Sequence, residues 1–131
     1  DELSDMHAFL ICGANKRLLF LPDHDSWQQT LEFYHQPDIR SWLRQLQVDI
    51  ALLDGTFWSE EELGGRSQKT VPHPPVKQTL QLLGEKKIGD PEIIFIHLNH
   101  TNPLYDENSP AYEEVISKGW QVGVQGQTFI L

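Results

Sequence analysis

The sequence predicts an α/β domain in which a mixed β-sheet carries its helices on one side. Three observations point to this class. The apolar runs at 18–21, 50–53 and 93–96 are strand-sized, and the last, Ile93-Ile94-Phe95-Ile96, is rich in β-branched residues. Segments with helix start and stop signals separate these runs. Each run also ends in side chains able to do chemistry, at the sheet rim where ligands of α/β folds bind.

The elements follow in order. A strand over 6–12 meets Gly13-Ala14-Asn15-Lys16, residues tolerant of positive φ, and turns back into a strand over 17–21. Asp25 or Ser26 caps a helix over 27–34. Pro37-Asp38 interrupts it and starts a second helix over 39–46, with Ile39, Leu43 and Leu46 on one face. A strand over 50–54 precedes a long loop from Gly55 to Pro75, and a loop of that length in a compact domain is usually functional or mobile. Its acidic triplet Glu60-Glu61-Glu62 reads as a solvated face. A helix over 76–83 starts behind Pro75 and stops at Gly84. After the strand at 93–97, Ser109-Pro110 caps a helix to Lys118, with Gly119 as its stop. Two short strands, over 120–124 and 127–131, flank a Gln125-Gly126 turn. Nothing repeats and no low-complexity linker divides the chain, so residues 1–131 form a single domain.

Composition narrows the partners. The chain has 131 residues, 39% of them hydrophobic, which suffices for one modest core. A formal net charge of -9 argues against nucleic acid held through phosphates and against an anionic membrane surface, and it is compatible with cations. No apolar stretch is long enough to span a bilayer. Cys12 is the only cysteine, which excludes an internal disulfide and a Cys-rich zinc site; it reads as a buried small hydrophobe. This usage fits a reducing cytosol, and a cytoplasmic location is expected.

The chemistry lies at three strand ends. The first run stops in Pro22-Asp23-His24-Asp25, the second in Asp54-Gly55-Thr56-Phe57-Trp58, and the third in His97-Leu98-Asn99-His100-Thr101-Asn102-Pro103. Carboxylate and imidazole are the donors that hard and borderline cations take, and a site built from separate strand ends needs no local spacing. Asp23, with Asp25 as the alternative, and His97 are the candidate metal ligands. His73 stands between prolines in the long loop. Asn99, His100, Asn102 and Trp58 are candidates to contact substrate, although side-chain-to-backbone bonds are the better reading of the two asparagines. His24 reads as a supporting or surface group, His7 and His35 have no supporting context, and Trp27, Trp42 and Trp120 read as packing residues.

Two segments carry a family resemblance. Residues 53–63, Leu-Asp-Gly-Thr-Phe-Trp-Ser-Glu-Glu-Glu-Leu, and residues 97–104, His-Leu-Asn-His-Thr-Asn-Pro-Leu, resemble the matching parts of the pyrroloquinoline quinone biosynthesis protein B family. Ser109-Pro110 and Gly119-Trp120-Gln121-Val122 extend the likeness over nearly the whole chain. The opening residues 1–5 and the Asp23 strand end are closer to uncharacterised hydrolases of the same branch. The resemblance implies the C-terminal half of a metallo-β-lactamase αββα sandwich. More distantly, the layout is similar to that of tRNA 3′-processing endonucleases, which implies a metal ligand at Asp23, a catalytic His73 in a loop, a ligand at His97, and Asp54 orienting His73.

The signature H-x-H-x-D-H that supplies most metal ligands in these proteins does not occur in this chain. The resemblance places it before Asp1, so the chain is expected to be a fragment with an incomplete divalent-metal site, zinc by family. Complete, it would be a hydrolase of an ester, amide or phosphodiester small molecule. Alone, it is expected to be inactive, and to pair with the missing N-terminal half or with a homodimer partner across its uncovered sheet face. The alternative is a non-catalytic binding or carrier protein related to pyrroloquinoline quinone biosynthesis.

Overall fold

A computed structural model describes residues 7–64 and 72–131. The residues outside those spans include the opening 1–5, the start of the first predicted strand, and the Gly65-Arg66-Ser67 and Val71 part of the long loop. The described elements are β1 (Phe9–Cys12), β2 (Arg17–Leu21), α1 (Trp27–Phe33), α2 (Ile39–Gln45), β3 (Ile50–Asp54), α3 (Val76–Leu83), β4 (Glu92–Ile96), α4 (Pro110–Ser117) and β5 (Gln121–Val122). The strands form one sheet in the order β1-β2-β3-β4-β5. The β1–β2 hairpin is antiparallel, closed by the Gly13 N–H donating to the Lys16 carbonyl at 2.9 Å, and the other three pairings are parallel.

Alternation along the strands sorts two faces. Leu19 and Leu21, Ala51 and Leu53, Ile93 and Phe95, and Val122 point to the helices, where Trp27, Ile39, Trp42, Leu43, Val76, Leu80, Leu83 and Val115 complete the main core. All four helices contribute to that one cluster, as the sequence predicts. On the opposite face, Leu18, Ile50 and Ile94 are buried, with Phe20, Leu52 and Ile96 only partly covered. Phe129 and Leu131 of the C-terminal tail supply part of that cover. The tail passes so close to the hairpin that a Cβ on Gly13 would stand 2.3 Å from the Leu131 Cβ.

Three expectations need correction. Residues 127–131 make no strand: β5 is two residues long and the segment beyond it lies across the sheet face as irregular chain. Cys12 is exposed, because β1 is an edge strand and all four of its residues are exposed. The acidic triplet forms a 3-10 turn (Glu60–Leu63), and Glu62 accepts hydrogen bonds from the Trp58 and Ser59 amides, so it fixes the loop instead of merely facing water.

Candidate metal centre

The register brings the three strand ends to one level. Leu21 stands opposite Leu53, and Asp54 opposite Ile96, so Asp23, Asp54 and His97 leave the same rim. Gly55 continues the ladder, its N–H donating to the Ile96 carbonyl at 2.8 Å, and a Cβ there would sit 2.8 Å from that oxygen. Only glycine allows the two chains this approach.

Asp54 organises the site. It is 4% exposed and accepts four hydrogen bonds: from the Thr56 N–H at 2.8 Å, the Thr56 hydroxyl at 2.6 Å, the His24 N–H at 3.0 Å and the His73 ring Nδ1 at 2.5 Å. That matches the acceptor capacity of one carboxylate, so Asp54 orients its neighbours and has no lone pair left for a cation. The His73 N–H also donates to the His24 carbonyl at 3.0 Å, which ties the long loop to the end of β2. The hydrogen bond to Asp54 raises the His73 pKa above the ordinary histidine value; partial burial opposes the rise, and the charges of Asp54, Asp23 and Asp25 add to it.

Asp23, His73 and His97 converge. One donor atom from each lies within 4.8 Å of the others. The Asp23 Oδ1 is 3.8 Å from the His73 Nε2 and 3.9 Å from the His97 Nδ1. Donors around a four-coordinate zinc ion stand about 3.3 Å apart, given bonds of about 2.0–2.2 Å. The 3.8 and 3.9 Å separations exceed this by about half an ångström, and the widest in the set, up to 4.8 Å, by about 1.5 Å, so the side chains must swing inward to close on a divalent cation. The donor chemistry fits too, one carboxylate and two imidazoles. The side chains of Asp23 and His97 are 49% and 48% exposed, against 17% for His73, so the open side faces solvent.

Backbone conformation marks the two histidines. His73 has φ 90° and His97 φ 60°, in the left-handed region that favours glycine. His35 and Gln47 also have positive φ, but they follow α1 and α2 within two residues, where chains commonly turn. His73 and His97 follow no helix, and strained residues of this kind cluster at functional sites.

The remaining candidates divide. Asn102 is buried; its amide donates to the Gly55 carbonyl at 2.7 Å and the Thr56 carbonyl at 3.2 Å, and its Oδ1 accepts from the Leu104 N–H at 3.0 Å. It clamps the loop after β4 onto the loop after β3 and has no donor left for substrate. Asn99 bonds Thr101 and His100 at the surface. Trp58 packs against the main core. It lines neither of the two cavities that flank the triad. One cavity, about 360 Å³, runs from Asp23 past His24, Asp25 and Thr30 to Tyr34 and Trp42. The other, about 370 Å³, lies on the open face between Leu52, Ile96, His97, Tyr105 and Phe129. His24 is buried, with its ring 2.8 Å from the Thr30 hydroxyl. His100 is exposed.

Thr56 is the site residue that sequence reasoning missed. Its hydroxyl touches Asp54, His73 at 3.3 Å and His97 at 3.1 Å. The available signal was its place two residues beyond a strand-end Asp, the spacing at which a hydroxyl can return to that carboxylate.

The fold is one half of a metallo-β-lactamase sandwich, a mixed sheet layered with helices on one side. It matches the crystal structure of Zn(2+)-bound PqqB from Methylobacterium extorquens with a TM-score of 0.56 and 22% identity, covering 95% of this chain and 40% of that one. In sequence the chain is similar to proteins named coenzyme PQQ synthesis protein B. That of Methylobacterium nodulans is 36% identical over 92 residues, 64% of this chain and 30% of its own length. That of Pseudomonas putida is 34% identical over 91 residues, 64% and 30%, and that of Methylococcus capsulatus 29% over 104 residues, 73% and 33%. The chain thus spans about a third of the length of these relatives. No family model matches it. Among the described residues, no helix is long and apolar enough to cross a membrane.

Proposed function

We propose that this chain carries part of the metal site of a metal-dependent hydrolase, with Asp23 and His97 as ligands and His73 as the group that handles a proton. The observation that carries this reading is the convergence of Asp23, His73 and His97 beside a carboxylate that holds His73 in place. A divalent cation there, zinc by analogy with the Zn(2+)-bound PqqB structure, supplies Lewis acidity toward an ester, amide or phosphodiester group. Asp54 holds the His73 Nδ1, so the His73 Nε2 faces the open side, where it can give a proton to a leaving group. The cavity beside Asp23 offers room for a small-molecule substrate.

One imidazole and one carboxylate do not fill a dinuclear site. In this reading the other ligands come from a second sheet-bearing unit seated on the open face, either the remainder of a longer chain or a second copy. Phe20, Leu52 and Ile96 give that face its partly covered apolar surface. Phe9 and Ile11 extend it, since they pair directly with Phe20 and Leu18 and are 56% and 48% exposed. The second reading is a binding or carrier role in coenzyme PQQ synthesis without catalysis, favoured by the relatives' names.

Calorimetric titration of the chain with zinc, beside Asp23→Ala and His97→Ala variants, tests the site. Binding at micromolar or tighter dissociation constant, lost in both variants, is the expected result. Binding that is absent, or indifferent to both changes, refutes a metal site in this chain. A zinc-binding chain that hydrolyses neither esters nor phosphodiesters when its complementary half is added would favour the carrier reading.

A further inference from the structure

We propose that Thr56 is a positioning residue that sets the tautomer of His97, keeping its Nδ1 protonated and leaving Nε2 as the atom offered to a cation. The inference rests on the metal-site reading above and deepens it. A threonine hydroxyl has one proton and two lone pairs, and an ionised carboxylate can only accept. The Thr56 Oγ1 stands 2.6 Å from the Asp54 Oδ1, within the range of a charge-assisted O–H···O⁻ bond, so the hydroxyl proton is committed to Asp54. Toward His97 the same oxygen can then only accept. The ring atom facing it at 3.1 Å, Nδ1, must therefore carry the hydrogen.

His73 obeys the same logic one step earlier, its Nδ1 donating straight to the Asp54 Oδ2 at 2.5 Å. One buried carboxylate thus acts on both histidines, directly on His73 and through a hydroxyl on His97. Thr56 is itself held, being 8% exposed with its N–H bonded to Asp54 at 2.8 Å. The same Nδ1 stands 3.9 Å from the Asp23 Oδ1, beyond hydrogen-bond reach, so Nε2 meets a cation shared with Asp23 only when the His97 ring swings toward it. Partners that fix the ring of a metal-binding histidine in this way change metal affinity by roughly 10–100-fold.

The test starts on the metal-free chain. Long-range ¹H–¹⁵N correlation at about pH 8, where an ordinary histidine is neutral, reads the tautomer of His97 directly. The expected result is the Nδ1–H form in the native chain, kept in Thr56→Ser and lost to the Nε2–H form in the near-isosteric Thr56→Val. Zinc affinity should fall roughly 10–100-fold in Thr56→Val and stay within about threefold of native in Thr56→Ser. An Nε2–H His97 in the native chain overturns the proposal even if Thr56→Val does not fold. So does a folded Thr56→Val with unchanged tautomer and affinity. A native chain that shows the Nδ1–H form but binds no zinc would refute the metal site while leaving the Thr56 assignment standing.

Discussion

His24 and His73 share a backbone hydrogen bond and the Asp54 carboxylate, yet they respond to opposite forces. His73 gains from a carboxylate, whereas burial dominates at His24 and lowers its pKa from 6.5 to about 4. The sign of the pH effect follows. Below pH 6.5 the unfolded chain protonates His24 and the folded chain does not, so the stabilisation present above 6.5 declines as pH falls toward 4. The His73 contribution runs the other way, complete below the ordinary value and lost as pH rises through its raised pKa. Urea unfolding of the native chain should therefore lose about 3 kcal/mol of stability between neutral pH and pH 4 through His24, the equivalent of its shift. His24→Gln should flatten that slope; an identical slope in the variant would assign the acid lability to other groups. The two environments were unequally legible in the sequence. Asp54 as the orienter of His73 could be inferred from resemblance, but that His24 is enclosed by Trp27 and Thr30 depends on how α1 returns to the sheet.

At the scale of elements, the loop after β4 shows how a polar residue serves architecture. Three hydrogen bonds join Asn102 to Gly55, Thr56 and Leu104, and Asn99 adds its N–H to the Thr56 carbonyl at 2.9 Å. Removing the Asn102 side chain takes the amide donor from the buried Gly55 carbonyl and the acceptor from the Leu104 N–H, while the Thr56 carbonyl keeps the Asn99 N–H. Asn102→Ala should cost roughly 2–3 kcal/mol in urea unfolding and also weaken zinc binding, because it frees the segment that holds His97. A loss under about 0.5 kcal/mol, the range of ordinary surface changes, would contradict the clamp. Most elements could be read in advance. The runs at β2, β3 and β4 are continuous and apolar because both of their faces are covered to some degree, and α3 and α4 announce themselves through Pro, Ser and Gly at their ends. The predicted strand at 127–131 failed for a tertiary reason. Alternating Phe129 and Leu131 fit a strand pattern locally, but the tail finds its apolar contacts across the sheet face, beside Gly13.

At the scale of the whole molecule the described residues are asymmetric, helices on one side of the sheet and a partly covered apolar face on the other. Cys12 was misread because a strand-like run suggests burial, and only the topology reveals that β1 is an edge strand with all its residues exposed. If a second unit belongs on this face, the isolated chain should self-associate with rising concentration in sedimentation velocity, and a Phe9→Lys/Ile11→Lys double variant should stay monomeric. A native chain that remains monomeric at all concentrations would mean that the tail suffices as cover. The level strand ends have one more consequence. Asp23, Asp54 and His97 meet only when β2, β3 and β4 are paired in a single register, and a slip of one residue would turn the side chains of a strand to the wrong face. A cation held there binds the native topology and nothing less ordered, so its binding free energy is added to the whole sheet at once. At a hundred times the dissociation constant this amounts to about 2.7 kcal/mol. Amide exchange in the middle of β3, a strand that supplies no ligand, would slow with the rest, making occupancy a gauge of whether the sheet has assembled correctly.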